Sequence, residues 1–381
     1  MKSVNDTIPK PLHIIGNVSN GSIITSLDFS SYISKNEQLI SIAIFGTKDS
    51  SILIYSLKNY RLLLQIEIKE FLSGGNNNKP GSDDDGLEEI KSCLYVRSKE
   101  ILMVQLRSGL IGLFHMNLNR IAKELPPTLT LIVGFKSYAM TFATSFVVND
   151  QYLGSLDENN AEKIVLRNFD FLDDDISFNL QFKDDEKHGI IISLYCIIQL
   201  EQVYFIIAFE SGFLELFRST LTDFDGEIKS KNAECCSTLR IESEMILSMD
   251  FNQTKMFGVL VNASNDVCVW KLENKLCNDR KILIFNDKFL KRISIKEDGL
   301  VSCSIRSDGK IFAIGTKNGR VRVFSGKTAK LLAVLTHHFY PIRVLKFTEN
   351  LNREKNSDHQ KYLLFVSSYD KSVSIWSLYN D

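Results

Sequence analysis

One four-residue pattern recurs seven times along this chain, and it restricts the fold more than any other feature. It reads apolar, any residue, apolar, then usually an aromatic. The copies are Ile52-Leu53-Ile54-Tyr55, Ile111-Gly112-Leu113-Phe114, Ile164-Val165-Leu166-Arg167, Leu214-Glu215-Leu216-Phe217, Val267-Cys268-Val269-Trp270, Val321-Arg322-Val323-Phe324 and Val373-Ser374-Ile375-Trp376. Their closing residues stand 50 to 59 positions apart. Alternation of this kind marks a strand with one face in a core. Six residues before the closing position lies a turn former in most copies: Asp49, Ser108, Ser211, Ser264, Asn318 and Asp370. Such residues bond their own backbone and favour tight hairpins.

Each copy ends a larger unit. Another apolar run precedes the turn, as in Ile42-Ala43-Ile44-Phe45 or Ile311-Phe312-Ala313-Ile314. A further strand precedes that run, and two copies echo closely: Ser26-Leu27-Asp28-Phe29 and Ser248-Met249-Asp250-Phe251. A fourth strand follows the motif, as in Arg61-Leu62-Leu63-Leu64. Four strands per unit, seven times over, predict an all-β chain folded as one seven-bladed β-propeller over residues 1–381. Its blades end near residues 57, 118, 169, 218, 272, 325 and 378. A β-sandwich does not repeat in units of four. The spacing exceeds the about 40–45 residues of an ordinary WD repeat. Polar insertions carry the surplus: 73–86 and 349–360 are expected to be flexible, and 169–175 and 218–234 to be mobile connections. The chain ends on a third strand, and Pro11-Leu12-His13-Ile14-Ile15 has no unit before it. Pairing that N-terminal strand with the last blade removes two open edges.

The totals narrow the function classes. Net charge is −1, so no global field draws the chain to nucleic acid or an anionic membrane. The opening residues lack the apolar core of a secretory signal. The longest apolar stretch, Gly189 to Phe209, is interrupted by Gln199, Glu201 and Gln202, which reads as two strands around a turn and not as a membrane span. Seven cysteines, an odd number, point to a reducing compartment.

The last unit resembles WD repeats in wording as well as pattern. It carries His337-His338, then Val344-Leu345-Lys346-Phe347, then Ser367-Ser368-Tyr369-Asp370-Lys371-Ser372-Val373-Ser374-Ile375-Trp376. In WD repeats a His, a Ser or Thr, a turn Asp and the Trp form a hydrogen-bonded network. The match implies a structural network of His338, Ser368, Asp370 and Trp376. More narrowly, residues 299–379 resemble the end of the ASTRA-associated WD-repeat proteins, whose animal relatives are called G-protein β-subunit-like. The matching stretches include Ser307-Asp308-Gly309-Lys310, Gly319-Arg320-Val321-Arg322-Val323-Phe324 and the closing Trp376-Ser377-Leu378-Tyr379. The resemblance implies a nuclear scaffold, with a cytoplasmic pool allowed. Its complex is linked to chromatin remodelling and to maturation of phosphatidylinositol-3-kinase-related kinases. The implied partners are the kinase co-chaperone trio, RuvB-like ATPases and the kinase-related proteins themselves. A signalling or ubiquitin-ligase adaptor propeller is the alternative.

The motifs that hint at chemistry give way to plain readings. Gly326-Lys327-Thr328 lacks the earlier glycine of a phosphate loop, since position 321 is Val. Cys235-Cys236 has no second cluster at metal spacing. Neighbours such as His337 and His338 point to opposite faces of a strand. The acidic runs 83–85, 173–175 and 184–186 read as solvated loop tips. The expectation is therefore no catalytic, cofactor or metal residues, and no direct nucleic-acid or membrane partner.

Overall fold

The computed structural model describes residues 9–16, 22–33, 39–68, 88–172, 175–183, 188–199, 201–220, 230–241, 244–277, 280–296, 299–348 and 362–380. The insertions expected to be flexible at 73–86 and 349–360 lie outside the described residues. The described residues are strand and turn, and their only helical segments are short 3-10 turns.

The strands come in sets of four, apart from one set of five and a last set of three that β1 completes. Strand β1 (His13–Ile15) stands alone in sequence. It is followed by β2 (Ile24–Ile33), β3 (Leu39–Thr47), β4 (Ser51–Ser56) and β5 (Leu62–Glu67). The next set is β6 (Ile90–Val96), β7 (Ile101–Leu106), β8 (Leu110–Asn117) and β9 (Thr128–Lys136). Then come β10 (Phe146–Val148), β11 (Tyr152–Leu156), β12 (Lys163–Asn168) and β13 (Asp175–Gln181). A fourth set is β14 (Ile191–Gln199), β15 (Gln202–Phe209), β16 (Phe213–Thr220) and β17 (Ser230–Arg240). It is followed by β18 (Ile246–Asn252), β19 (Phe257–Asn262), β20 (Asp266–Cys277), β21 (Arg280–Phe285) and β22 (Lys291–Ser294). The last are β23 (Leu300–Ile305), β24 (Ile311–Thr316), β25 (Val321–Ser325), β26 (Leu331–Leu335), β27 (Ile342–Phe347), β28 (Leu363–Ser368) and β29 (Val373–Ser377). The seven recurring motifs fall on β4, β8, β12, β16, β20, β25 and β29.

The chain divides into two compact units. The first comprises Met1–Ile24, Leu247–Trp270 and Leu290–Asp381, and the second Thr25–Ile246 and Lys271–Phe289. In the first unit, β1 adds to the last set in the order β1-β29-β28-β27. His13, Ile14 and Ile15 pair antiparallel with Ile375, Ser374 and Val373. The orphan strand expected to pair with the last set does so. One apolar core spans this sheet and that of β23–β26, with Val323, Ile342, Leu364 and Trp376 among its members.

In the second unit the sets β2–β5 and β6–β9 share a core that includes Ile44, Ile54, Val104 and Phe114. The sets β10–β13 and β14–β17 are joined into one eight-stranded sheet. The joint is a parallel pairing of Ser177–Gln181 with Ser230–Glu234. This corrects the expectation that 218–234 is a loop throughout. Ser230-Lys231-Asn232 is polar in sequence, yet a partner strand satisfies its backbone groups. The connection expected at 169–175 is also partly ordered: Phe169 is buried against Met103 and Leu153, and Asp175 already belongs to β13.

The second strands are buried on both faces. Every described side chain of β7, β19, β24 and β28 is buried. Outer strands such as β9 alternate between exposed and half-buried. The two echoing segments make the same clasp onto the first strand of the following set. In the second unit Asp28 Oδ2 accepts from Tyr95 N at 2.6 Å, and Ser26 Oγ donates to Cys93 Sγ at 3.2 Å. In the first unit Asp250 Oδ2 accepts from Ile305 N at 2.6 Å, with Ser248 Oγ 3.6 Å from Cys303 Sγ. A strand carboxylate that accepts a backbone N–H from its neighbour fixes how two sheets stack.

Candidate interaction site

The turn between β28 and β29 and the loop before β27 meet around His338, whose side chain is buried. Its Nδ1 lies 2.7 Å from Asp370 Oδ2, and its Nε2 lies 2.7 Å from Ser374 Oγ. Trp376 Nε1 donates to the same Ser374 Oγ at 2.8 Å. Asp370 Oδ1 also accepts from Ser372 Oγ at 2.7 Å and Ser372 N at 3.0 Å. Burial holds the His338 pKa below its ordinary value against the opposing pull of Asp370. For Asp370, burial alone would push the carboxyl up, but bonds from Ser372 and His338 outweigh it and hold it below the usual range. A neutral imidazole satisfies every group: Nδ1–H donates to the carboxylate, and Nε2 accepts from the Ser374 hydroxyl. Such a relay braces a corner.

The structure brings together three of the four residues expected here. Ser374, not Ser368, links His338 to Trp376. Ser368 acts beside the relay: its Oγ donates to Tyr340 O at 3.0 Å and accepts from Asp370 N at 3.3 Å. Ser374 sits at the "any residue" place of the repeat, so nothing in the alternation marked it. Ser368 joins the network through the Asp370 backbone and not through the imidazole.

The braced corner displays aromatic side chains. Phe339 is 86% exposed, Tyr340 59% and Tyr369 45%. The loops that carry them are tied down. Tyr369 N donates to Pro341 O at 3.0 Å, and Lys371 takes the left-handed region at φ 66°. Gly319, at φ 81°, packs so closely under the loop that a Cβ there would collide with the His338 carbonyl. Lys317, Arg320 and Lys371 are exposed around the same loops.

A second histidine corner lies in the β14–β17 sheet. His188 packs against the rings of Phe182, Phe209 and Phe213, with centroids 5.2, 5.1 and 5.0 Å away. Its Nε2 is 3.8 Å from Glu215 Oε1; the Glu215 side chain is buried and that of His188 mostly so. The paired cysteines lie nearby on β17. Burial raises the Cys235 thiol, and burial followed by the charge of Cys235 raises Cys236 to about 11. Neither has the thiolate character of a reactive cysteine. Among the described residues no cluster of three His, Cys, Asp or Glu is placed to hold a metal ion, and no helix is long and apolar enough to cross a membrane.

No family model matches this sequence. The chain is 30% identical over 144 residues to guanine nucleotide-binding protein subunit beta-like protein 1 of Mus musculus, covering 38% of each. It is 27% identical over 215 residues to ASTRA-associated protein 1 of Aspergillus flavus, covering 47% of this chain and 48% of that one. With the Schizosaccharomyces pombe protein of the same name, the identity is 29% over 140 residues, or 36% and 33% of the two chains. The chain thus spans under half the length of each of these relatives. The names agree with a WD-repeat ASTRA-associated family. The crystal structure of Chaetomium thermophilum Raptor matches 97% of this chain and 29% of that one, with a TM-score of 0.63 and 14% identity. That likeness speaks to fold alone, and the fold is an all-β propeller of the WD-repeat type.

Proposed function

We propose that this chain is a non-catalytic scaffold subunit of a nuclear ASTRA-type complex, linked to chromatin remodelling and to maturation of phosphatidylinositol-3-kinase-related kinases. The observation that carries the reading is the likeness to two fungal proteins named ASTRA-associated protein 1. The site supports a binding role. Its hydrogen-bonded groups brace loops, and its exposed groups are aromatic and basic. A rigid display of this kind recognises a partner without performing chemistry on it. By this reading the partners are the kinase co-chaperone trio, RuvB-like ATPases and the kinase-related proteins.

Affinity purification of the tagged chain from its own cells, followed by mass spectrometry, tests this. Recovery of the co-chaperone trio or RuvB-like ATPases is expected, with the tagged protein concentrated in nuclei. Recovery of cullin adaptors or Gα subunits alone would replace this reading with a ubiquitin-ligase or signalling propeller.

A further inference from the structure

We propose that the loops 317–320, 336–341 and 369–372 form a docking surface for an acidic peptide segment that carries an apolar anchor. The proposal rests on the scaffold reading for the partner being a protein.

Three aromatic rings at 86%, 59% and 45% exposure stand on two loops joined by the bond from Tyr369 N to Pro341 O, and water solvates such faces poorly. Interfaces draw most of their affinity from a few such anchors at the centre of the contact. Here the anchors are ordered before any partner arrives. The Tyr340 carbonyl is held by Ser368 and the Pro341 carbonyl by Tyr369 N, while the His338 relay fixes the corner beneath. Prior ordering removes part of the entropic cost of association.

Charge selects the partner. Lys317, Arg320 and Lys371 lie exposed on these loops. Asp370 is the only carboxylate in the three segments, and it is engaged by His338 and Ser372. The surface therefore combines exposed aromatic rings with exposed cations. A segment with a Leu or aromatic anchor flanked by Asp or Glu complements both parts. Nucleic acid fits less well. Three cations on a chain of net charge −1 neutralise few phosphates.

Fluorescence polarisation with the full-length chain tests the surface. The probe is a labelled synthetic peptide with a Leu-Trp pair flanked by glutamates. Controls are the same peptide with Gln in place of Glu, and a labelled oligouridylate. Wild type should prefer the acidic peptide over the Gln peptide. Phe339→Ala with Tyr340→Ala should weaken binding about tenfold or more, a loss of ~1.4 kcal/mol. Lys317→Glu with Lys371→Glu should weaken it mainly at low salt, where exposed charges are least screened. Thermal melts check that each variant stays folded, and Phe171→Ala, exposed in the second unit, should bind as wild type. Equal binding of the Gln peptide, tighter binding of the oligouridylate, or undiminished binding by the aromatic double variant would each overturn the proposal. The two readings fail separately. No peptide binding with copurification intact removes the surface alone, and peptide binding without ASTRA subunits removes the complex alone.

Discussion

In the last sheet the middle position of the recurring motif is Ser374; in the β14–β17 sheet the same place holds Glu215. Each faces a second-strand partner, Val366 for Ser374 and Ile207 for Glu215, and each stands two residues before its closing aromatic. Each also meets a histidine from the loop before the first strand of its set. The contacts differ in kind. His338 is hydrogen-bonded on both ring nitrogens, at 2.7 Å each. His188 is boxed by three phenylalanine rings and stands 3.8 Å from its carboxylate, too far for a hydrogen bond. The corner needs a flat ring to fill it and a polar partner on the third strand. Directional bonds meet that need in one sheet, and packing meets it in the other.

The largest test of this contrast is at the closing aromatics. Trp376 and Phe217 are both fully buried, so Trp376→Ala and Phe217→Ala should each cost about 3–5 kcal/mol. Trp376→Phe keeps most of the packing and removes only the bond to Ser374, at about 0.5–1.5 kcal/mol. Phe217 carries no ring N–H and has no equivalent bond to lose. Chemical denaturation of the three variants decides it. If Trp376→Phe costs as much as Trp376→Ala, the relay and not the packing dominates in the last sheet.

Next in size are the polar partners. Glu215→Ala leaves His188 buried without its carboxylate and should cost about 1–3 kcal/mol. Replacing both, His188→Phe with Glu215→Leu, should come close to neutral, because replacing both polar partners by apolar groups of similar shape costs little. The matching double change at the other corner, His338→Phe with Ser374→Ala, should stay destabilising, because it strands Trp376 Nε1 and Asp370. Double-mutant cycles at both corners measure this directly. A neutral result at both would show that neither relies on directional bonds.

Asp370→Ala should cost about 1–3 kcal/mol through the bonds lost from His338 and Ser372. Ser368→Ala should cost less, since Ser368 lies beside the relay. Equal costs, read from urea midpoints, would restore Ser368 to the place the motif assigned it.

The repeat made the strands legible because a short alternating run survives divergence in everything around it. His338, Asp370 and Trp376 were legible because the last unit keeps the wording of its family. Ser374 and Glu215 were not, for one physical reason. Alternation assumes a strand with one wet face, and β29 and β16 are buried on both through most of their length. A buried "any residue" position carries as much structure as an apolar one and leaves no periodic trace. His188 was missed because its sheet has neither the turn Asp nor the Trp that would complete the motif. The parallel pairing of β13 with β17 was missed because it joins segments about 50 residues apart, with nothing local to mark it.

The smallest expected effect is pH dependence, and it too separates the corners. Folding lowers the His338 pKa from 6.5, first through burial, and it lowers the Asp370 pKa from 3.8. A group whose pKa falls on folding binds fewer protons in the native state, so stability drops as pH falls below the unfolded value. For His338 the loss begins near pH 6.5 and continues down to its native pKa. For Asp370 it begins only below 3.8. Mild acid should therefore loosen the relay through His338 alone. Trp376 reports it. The chain has two tryptophans, and Trp270→Phe leaves Trp376 as the only one. Thermal melts followed by its fluorescence should shift to lower temperature between about pH 7.5 and 5.5. His338→Gln, which cannot titrate, should lower the melt at the higher pH and flatten its slope across that window. A slope unchanged by His338→Gln would assign the acid sensitivity to another group and leave the relay indifferent to pH.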